Sequence, residues 1–147
     1  MVSFREVKRR CRADGFQCHH LIPLAVVESQ SLAMLFGRLR STGFNPHDFN
    51  SNGMHLPSSE KQAAVFRLPM HRGPHKRYNN MVADRIAGFS NLDDQSILQN
   101  VVKLQYDLRK GLRRGPVNLL CGRGGQGNTA DFFDRLDSAA DLLWGIV

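Results

Sequence analysis

The stretch P-M-H-R-G-P-H-K-R-Y-N at residues 69–79 places two histidines, His71 and His75, four positions apart with Gly73-Pro74 between them. A second pair, His19-His20, stands in C-H-H-L-I-P at residues 18–23, so four of the six histidines fall in two tight groups. A metal site needs lone-pair donors at fixed positions, and a spacing of four on a helix supplies two of them. Gly73-Pro74 changes that geometry: His71 is expected to precede a helix and His75 to lie in its first turn. Consecutive side chains of a strand point to opposite faces, so His19 and His20 can serve one site only where the strand ends or bulges, and Pro23 soon ends it. One of the pair can then coordinate an ion while its neighbour reaches a water. The plainer alternatives are two surface histidines in a basic loop and one core histidine held by hydrogen bonds.

Outward from these groups the pattern is mainly helical. Residues 3–12 form a basic amphipathic helix closed by Asp14-Gly15, and residues 16–22 read as a short strand. Val27, Leu32, Leu35, Phe36 and Leu39 predict one helix over about 24–40, an insertion between two strands. Residues 43–53, G-F-N-P-H-D-F-N-S-N-G, read as a loop ending in a turn at Asn52-Gly53, after which Met54-His55-Leu56 makes a second short strand closed by Pro57. Ser59-x-x-Gln62 has the pattern of a capping box for a brief helix through Phe66, and Pro74 can start a helix running through Tyr78, Val82 and Ile86 to Gly88. Asn91 can cap a long helix in which Ile97, Val101, Leu104, Leu108 and Leu112 share a face. Thr129 can cap a last one carrying Phe132, Phe133, Leu136, Ala140, Leu143 and Trp144. Their apolar stripes are expected to pack on each other and on the earlier helices. The glycine-rich loop G-R-G-G-Q-G-N between them follows no strand and is not a phosphate-binding fingerprint.

The 147 residues suit a single domain, 1–147. No apolar run approaches the roughly 18 residues of a spanning helix, so no membrane insertion is expected. The N-terminus M-V-S-F-R-E-V-K-R-R lacks the apolar stretch of a secretory signal, so export would need another route. Cys11, Cys18 and Cys121 are an odd number without paired spacing, which speaks against a disulfide framework. The net charge of +7 is uneven: residues 1–128 carry 19 Lys/Arg against 9 Asp/Glu, while residues 129–147 are acidic. Clusters at Arg5/Lys8/Arg9/Arg10/Arg12, Arg67/Arg72/Lys76/Arg77 and Arg109/Lys110/Arg113/Arg114 suit a polyanion, since each phosphate neutralised releases counterions. A solvated basic face is the competing explanation.

C-H-H-L-I-P, then F-N-S-N-G-M-H-L-P at 49–57, then L-P-M-H-R-G-P-H-K-R-Y-N together resemble the AHH branch of the His-Me finger (HNH-type) nucleases over about residues 14–88. Cys18 stands where that family usually has Ala. The resemblance implies a ββα-metal finger embedded in a helical domain, hence an α+β, mainly helical fold with C-terminal helices over about 91–147. By the same resemblance His19, His71 and His75 are metal ligands, His20 is the general base, and Asn52 braces the finger and orients that base. Arg72 is a candidate phosphate or transition-state contact. Arg9, Arg10, Arg67, Lys76, Arg77, Arg113 and Arg114 are candidate nucleic-acid contacts. One divalent ion is implied, with Zn, Ni, Mg and Mn all open.

The expected function is a metal-dependent, largely sequence-nonspecific endonuclease acting on DNA, with RNA as the alternative substrate. The resemblance further implies an antibacterial toxin domain, free-standing or excised from a larger toxin. Such a domain is delivered without a signal peptide, by secretion-system components, into a target cell's cytoplasm, and an acidic immunity protein holds it in check in the producer. The competing class is a non-catalytic nucleic-acid-binding module stapled by zinc on Cys11, Cys18, His19 and His71. It is disfavoured because zinc-finger cysteines usually stand in closer pairs and because it leaves His20, His75 and Asn52 unexplained.

Overall fold

Two short runs of apolar and β-branching-poor sequence pair only because their ends are fixed by other elements. In the computed structural model, which describes residues 1–71 and 75–114, β1 (Phe16–His20) and β2 (Gly53–Pro57) form an antiparallel two-stranded sheet. Phe16 faces Pro57 at one end of the register and His20 faces Gly53 at the other. Helix α1 (Phe4–Ala13) precedes β1 and packs on it. Ser3 and Glu6 complete a reciprocal capping box, and Gly15, at φ +74°, makes the tight return into the strand that a side chain would strain.

The remaining elements surround this hairpin. After β1 come α2 (Leu24–Val27), a 3₁₀ turn (Gln30–Leu32), α3 (Ala33–Ser41) and α4 (Phe49–Asn52); after β2 come α5 (Glu60–Phe66), α6 (Lys76–Ala87) and α7 (Asp94–Arg114). One main core joins them, with Leu21, Ile22, Phe36, Leu39, Leu56, Tyr78, Val82 and Ile86 at its centre. Ile97, Val101, Leu104, Leu108 and Leu112 are all buried in it, as the spacing of α7 predicts. This is an α+β, mainly helical ββα finger. The predicted helix headed by Thr129 and the glycine-rich loop before it lie outside the described residues, as does the single-domain extent to residue 147.

Three expectations need correction. The helix expected over 24–40 is broken in three, because Ser29 is extended (φ −63°, ψ 130°) and interrupts the helical backbone; its hydroxyl meets that of Ser31 at 2.8 Å. Asn52-Gly53 is not a turn: Asn52 ends α4, a one-turn helix capped by Asp48, and Gly53 opens β2. A Cβ at Gly53 would stand 2.5 Å from the Phe49 carbonyl oxygen, so the step from helix to strand requires glycine there. The start of α7 is capped by Asp93 rather than Asn91, with Ser96 N donating to Asp93 Oδ1 at 3.0 Å.

What positions the hairpin is the fully buried side chain of Asn52. Its Oδ1 accepts from Ile22 N (2.8 Å) and Gln105 Nε2 (3.1 Å), and its Nδ2 donates to Ile22 O (3.0 Å) and Pro46 O (2.9 Å). Asn52→Ala strands several of these buried groups at once, so a loss of about 2–4 kcal/mol in urea unfolding is expected. A change below about 1 kcal/mol would mean that water replaces the carboxamide.

Candidate metal centre

Three imidazoles converge between the hairpin and the start of α6. His19, 3 % exposed, points inward from β1; His75, 7 % exposed, is the residue on which α6 begins. His71 is placed by its own backbone, whose N–H donates to Pro57 O at 2.8 Å and so continues the edge of β2. Ring centroids lie 5.1 Å apart for His19–His71, 6.0 Å for His19–His75 and 4.6 Å for His71–His75. One donor nitrogen from each falls within 4.8 Å of the other two. Tyr78 closes the floor: its ring is 5.0 Å from that of His19, and its buried hydroxyl donates to Leu21 O at 2.8 Å.

The surroundings keep His19 and His71 neutral. Burial, followed by the charges that His71, His75 and His20 would carry, holds His19 well below the ordinary histidine range. Burial and then His75 bring His71 down to about 4. His71 Nδ1 sits 2.8 Å from Gln17 Oε1, which accepts its proton and leaves Nε2 as the lone pair. His19 Nε2 is buried and, among the described residues, has no hydrogen-bond partner. A buried polar atom in that state calls for a partner, and three imidazole nitrogens without a carboxylate are a donor set that fits a divalent cation.

His20 lies on the other face of β1. Its ring stacks on Phe4 of α1 with centroids 3.6 Å apart and planes at 7°, and Phe49 meets Phe4 edge-on at 5.0 Å. Burial, then His47 and Lys8, bring its pKa down to about 4, so it is a free base near neutrality. Its Nε2 has no hydrogen-bond partner among the described residues.

The other candidate residues divide. Asn52 braces the finger, yet the hydrogen bonds of its side chain go to Ile22, Pro46 and Gln105; its bearing on His20 runs through the backbone, where Leu21 N donates to Asn52 O at 2.8 Å. Arg67, in a left-handed conformation at the end of α5, is exposed, as are Lys76 and Arg77 in the first turn of α6, Arg9 and Arg10 on α1, and Arg113 on α7. Arg72 and the side chain of Arg114 lie outside the described residues. Arg109, counted by sequence among the phosphate clusters, instead donates to the carbonyls of Asn50, Ser51 and Gly53 and so holds α4 and β2 onto α7.

The zinc staple of Cys11, Cys18, His19 and His71 does not assemble. Strand alternation sends Cys18 to the α1 face with Cys11, while His19 and His71 meet on the face toward α6. The sequence reading also passed over Gln17 and Phe4. Gln17 was findable, since it shares a strand face with His19; Phe4 required knowing how α1 docks.

An antiparallel hairpin followed by a helix, with imidazoles gathered between them, defines the class of HNH-type finger nucleases. A model of the AHH family, described as a nuclease family of the HNH/ENDO VII superfamily with conserved AHH, matches residues 3–110. The chain belongs to that family, with Cys18 in the alanine position, and it is a nuclease. No curated protein and no solved structure matches it.

The depressed histidines bear on stability. The folded state resists protonation that the unfolded chain accepts below about 6.5, so the unfolded form binds more protons as pH falls through that value toward about 4, and stability must drop in that window. The urea midpoint of metal-free protein is therefore expected to decline between about pH 6.5 and 5, above most carboxylate titration. His71→Gln should flatten this slope; equal slopes in both proteins would show that the His71 ring is not held neutral by the fold.

Proposed function

We propose that this nuclease is a metal-dependent endonuclease that hydrolyses phosphodiester bonds of DNA without strong sequence preference. The convergence of His19, His71 and His75, with His20 as the adjoining residue, is the observation that carries this reading. The three imidazoles hold one divalent ion, whose contribution when bound is to polarise the scissile phosphate and offset charge on the leaving oxygen. His20, neutral near pH 7, accepts the proton of the attacking water, and Phe4 and Asn52 fix where it stands. Lys76 and Arg77 sit at the start of α6, where the helix dipole is already positive, so their charges concentrate the field that draws a phosphate. Arg72, between two candidate ligands in sequence, is a further candidate for contact with that phosphate.

We further propose a toxin context: a domain delivered by secretion-system components into the cytoplasm of a target cell, and neutralised in the producer by an acidic immunity protein. The surplus of basic residues over 1–128 supports both a polyanionic substrate and an acidic inhibitor. Expression in a bacterial host without a partner should be lethal; unimpaired growth with active protein would remove the toxin reading.

Plasmid incubated with the protein should be nicked, with chelator abolishing the reaction and added divalent metal restoring it. A parallel arm with RNA decides the substrate, since faster RNA cleavage would replace DNA. His20→Ala should keep metal and DNA binding while cleavage falls by about a hundred- to ten-thousandfold. His75→Ala should instead weaken metal binding, with cutting partly rescued at high metal. Loss of metal in His20→Ala would reverse the roles of the two strand histidines. Affinity for duplex should fall with salt by about 0.9 in log K per decade for each phosphate neutralised.

A further inference from the structure

The α1 face of the hairpin carries a second group of donors. Cys18 Sγ lies 2.9 Å from Cys11 Sγ, and His55, the cross-strand partner of Cys18, brings a ring nitrogen within 4.8 Å of both sulfurs. One donor therefore comes from each of α1, β1 and β2. Cys11 is 4 % exposed, while His55 is exposed and tilts against Phe49 at 4.8 Å between centroids. Cys11 and His55 also line a cavity of about 980 Å³ among the described residues, which gives an ion a way in.

Two kinds of bond could join the sulfurs. Their spacing falls between the about 2.0 Å of a disulfide and the about 3.8 Å of two thiolates on one tetrahedral zinc, so the third donor decides. A disulfide gives the imidazole of His55 no part, whereas a thiophilic cation takes all three groups. We propose that Cys11, Cys18 and His55 form a second metal site, for a zinc-like thiophilic divalent cation, that pins α1 to the hairpin. On binding, the two thiols release their protons to solvent, two metal–sulfur bonds form, the imidazole binds neutral, and no electron is transferred. The site lies one residue along β1 from His19 but on the opposite face, so the two sites share a strand and no ligand. Because α1 also supplies the Phe4 platform under His20, the pin holds that platform in place. Sulfur donors favour thiophilic metals over magnesium and manganese, which separates this site in metal preference from the imidazole site.

The test is cobalt(II) titration of the reduced full chain, read by absorbance rather than by cleavage. Wild type and His75→Ala should both develop a near-ultraviolet thiolate-to-cobalt charge-transfer band. Cys18→Ala, which installs the alanine that names the family, should lose it, and the exposed-site variant His55→Ala should weaken cobalt affinity at least tenfold. Zinc content after gel filtration should fall by one equivalent in Cys18→Ala. The proposal is overturned if reduced wild type gives no such band, if His55→Ala binds cobalt as wild type does, or if protein isolated without reductant is two mass units light with Cys11 bonded to Cys18.

Discussion

The geometry of the finger hangs on one buried carboxamide. Asn52 ties the exit of β1 at Ile22, the loop at Pro46 and the face of α7 at Gln105 into one network, and it does so at the residue where α4 turns into β2. A two-stranded hairpin of five residues a side is marginal by itself in water. Here its open end is closed by side-chain hydrogen bonds in the interior, where water does not compete and where each unmade bond would be costly. Arg109 repeats the arrangement from outside the core by binding the carbonyls of residues 50, 51 and 53. Helix α7 therefore sets the position of β2, although it contributes no donor to either cluster.

Once register is fixed, the two-residue period of β1 distributes chemistry. Gln17 and His19 face α6, where Gln17 orients His71 and His19 joins the imidazole cluster. Cys18 and His20 face α1, where Cys18 meets Cys11 and His20 rests on Phe4. A slip of one residue would exchange the two faces, taking His19 out of the cluster and burying His20 in its place. Register is thus a functional constraint as well as a packing one. It is enforced by Leu56 and Met54, whose burial leaves His55 outward.

Much of this was legible in sequence because the determinants are local. The spacing of Ile97, Val101, Leu104, Leu108 and Leu112 specifies the buried stripe of α7, and the ordered motifs around His19-His20, Asn52 and His71…His75 specify the finger. What sequence could not give depends on contacts between distant segments. Cys11 and Cys18 are seven apart and look unpaired until α1 folds back on β1, and His55 looks spare until β2 sets it opposite Cys18. Arg109 reads as surface charge until α4 and the start of β2 present three carbonyls to it. The break at Ser29 is local, but it turns on the extended backbone of a single serine, which hydrophobic periodicity does not register.

The contrast between Asn52 and the imidazoles separates what builds the site from what would hold an ion. Crowded, largely buried imidazoles are a cost to the folded chain, since their polar atoms leave water and, in the case of His19 Nε2, find no hydrogen bond among the described residues. If metal binding had to order the hairpin as well, part of its free energy would be consumed in folding, as in small zinc domains. In this chain the register, the Asn52 network and the His71 backbone bond to Pro57 are made by backbone and carboxamide groups, none of them an imidazole donor. Two of the three donors are therefore held by the hairpin and its continuation, and the third by the start of a helix whose Tyr78 is anchored to Leu21. On the proposed reading, the ordering entropy is met by interactions remote from the imidazoles, so the binding free energy of an ion would go to holding a phosphate rather than to building the site.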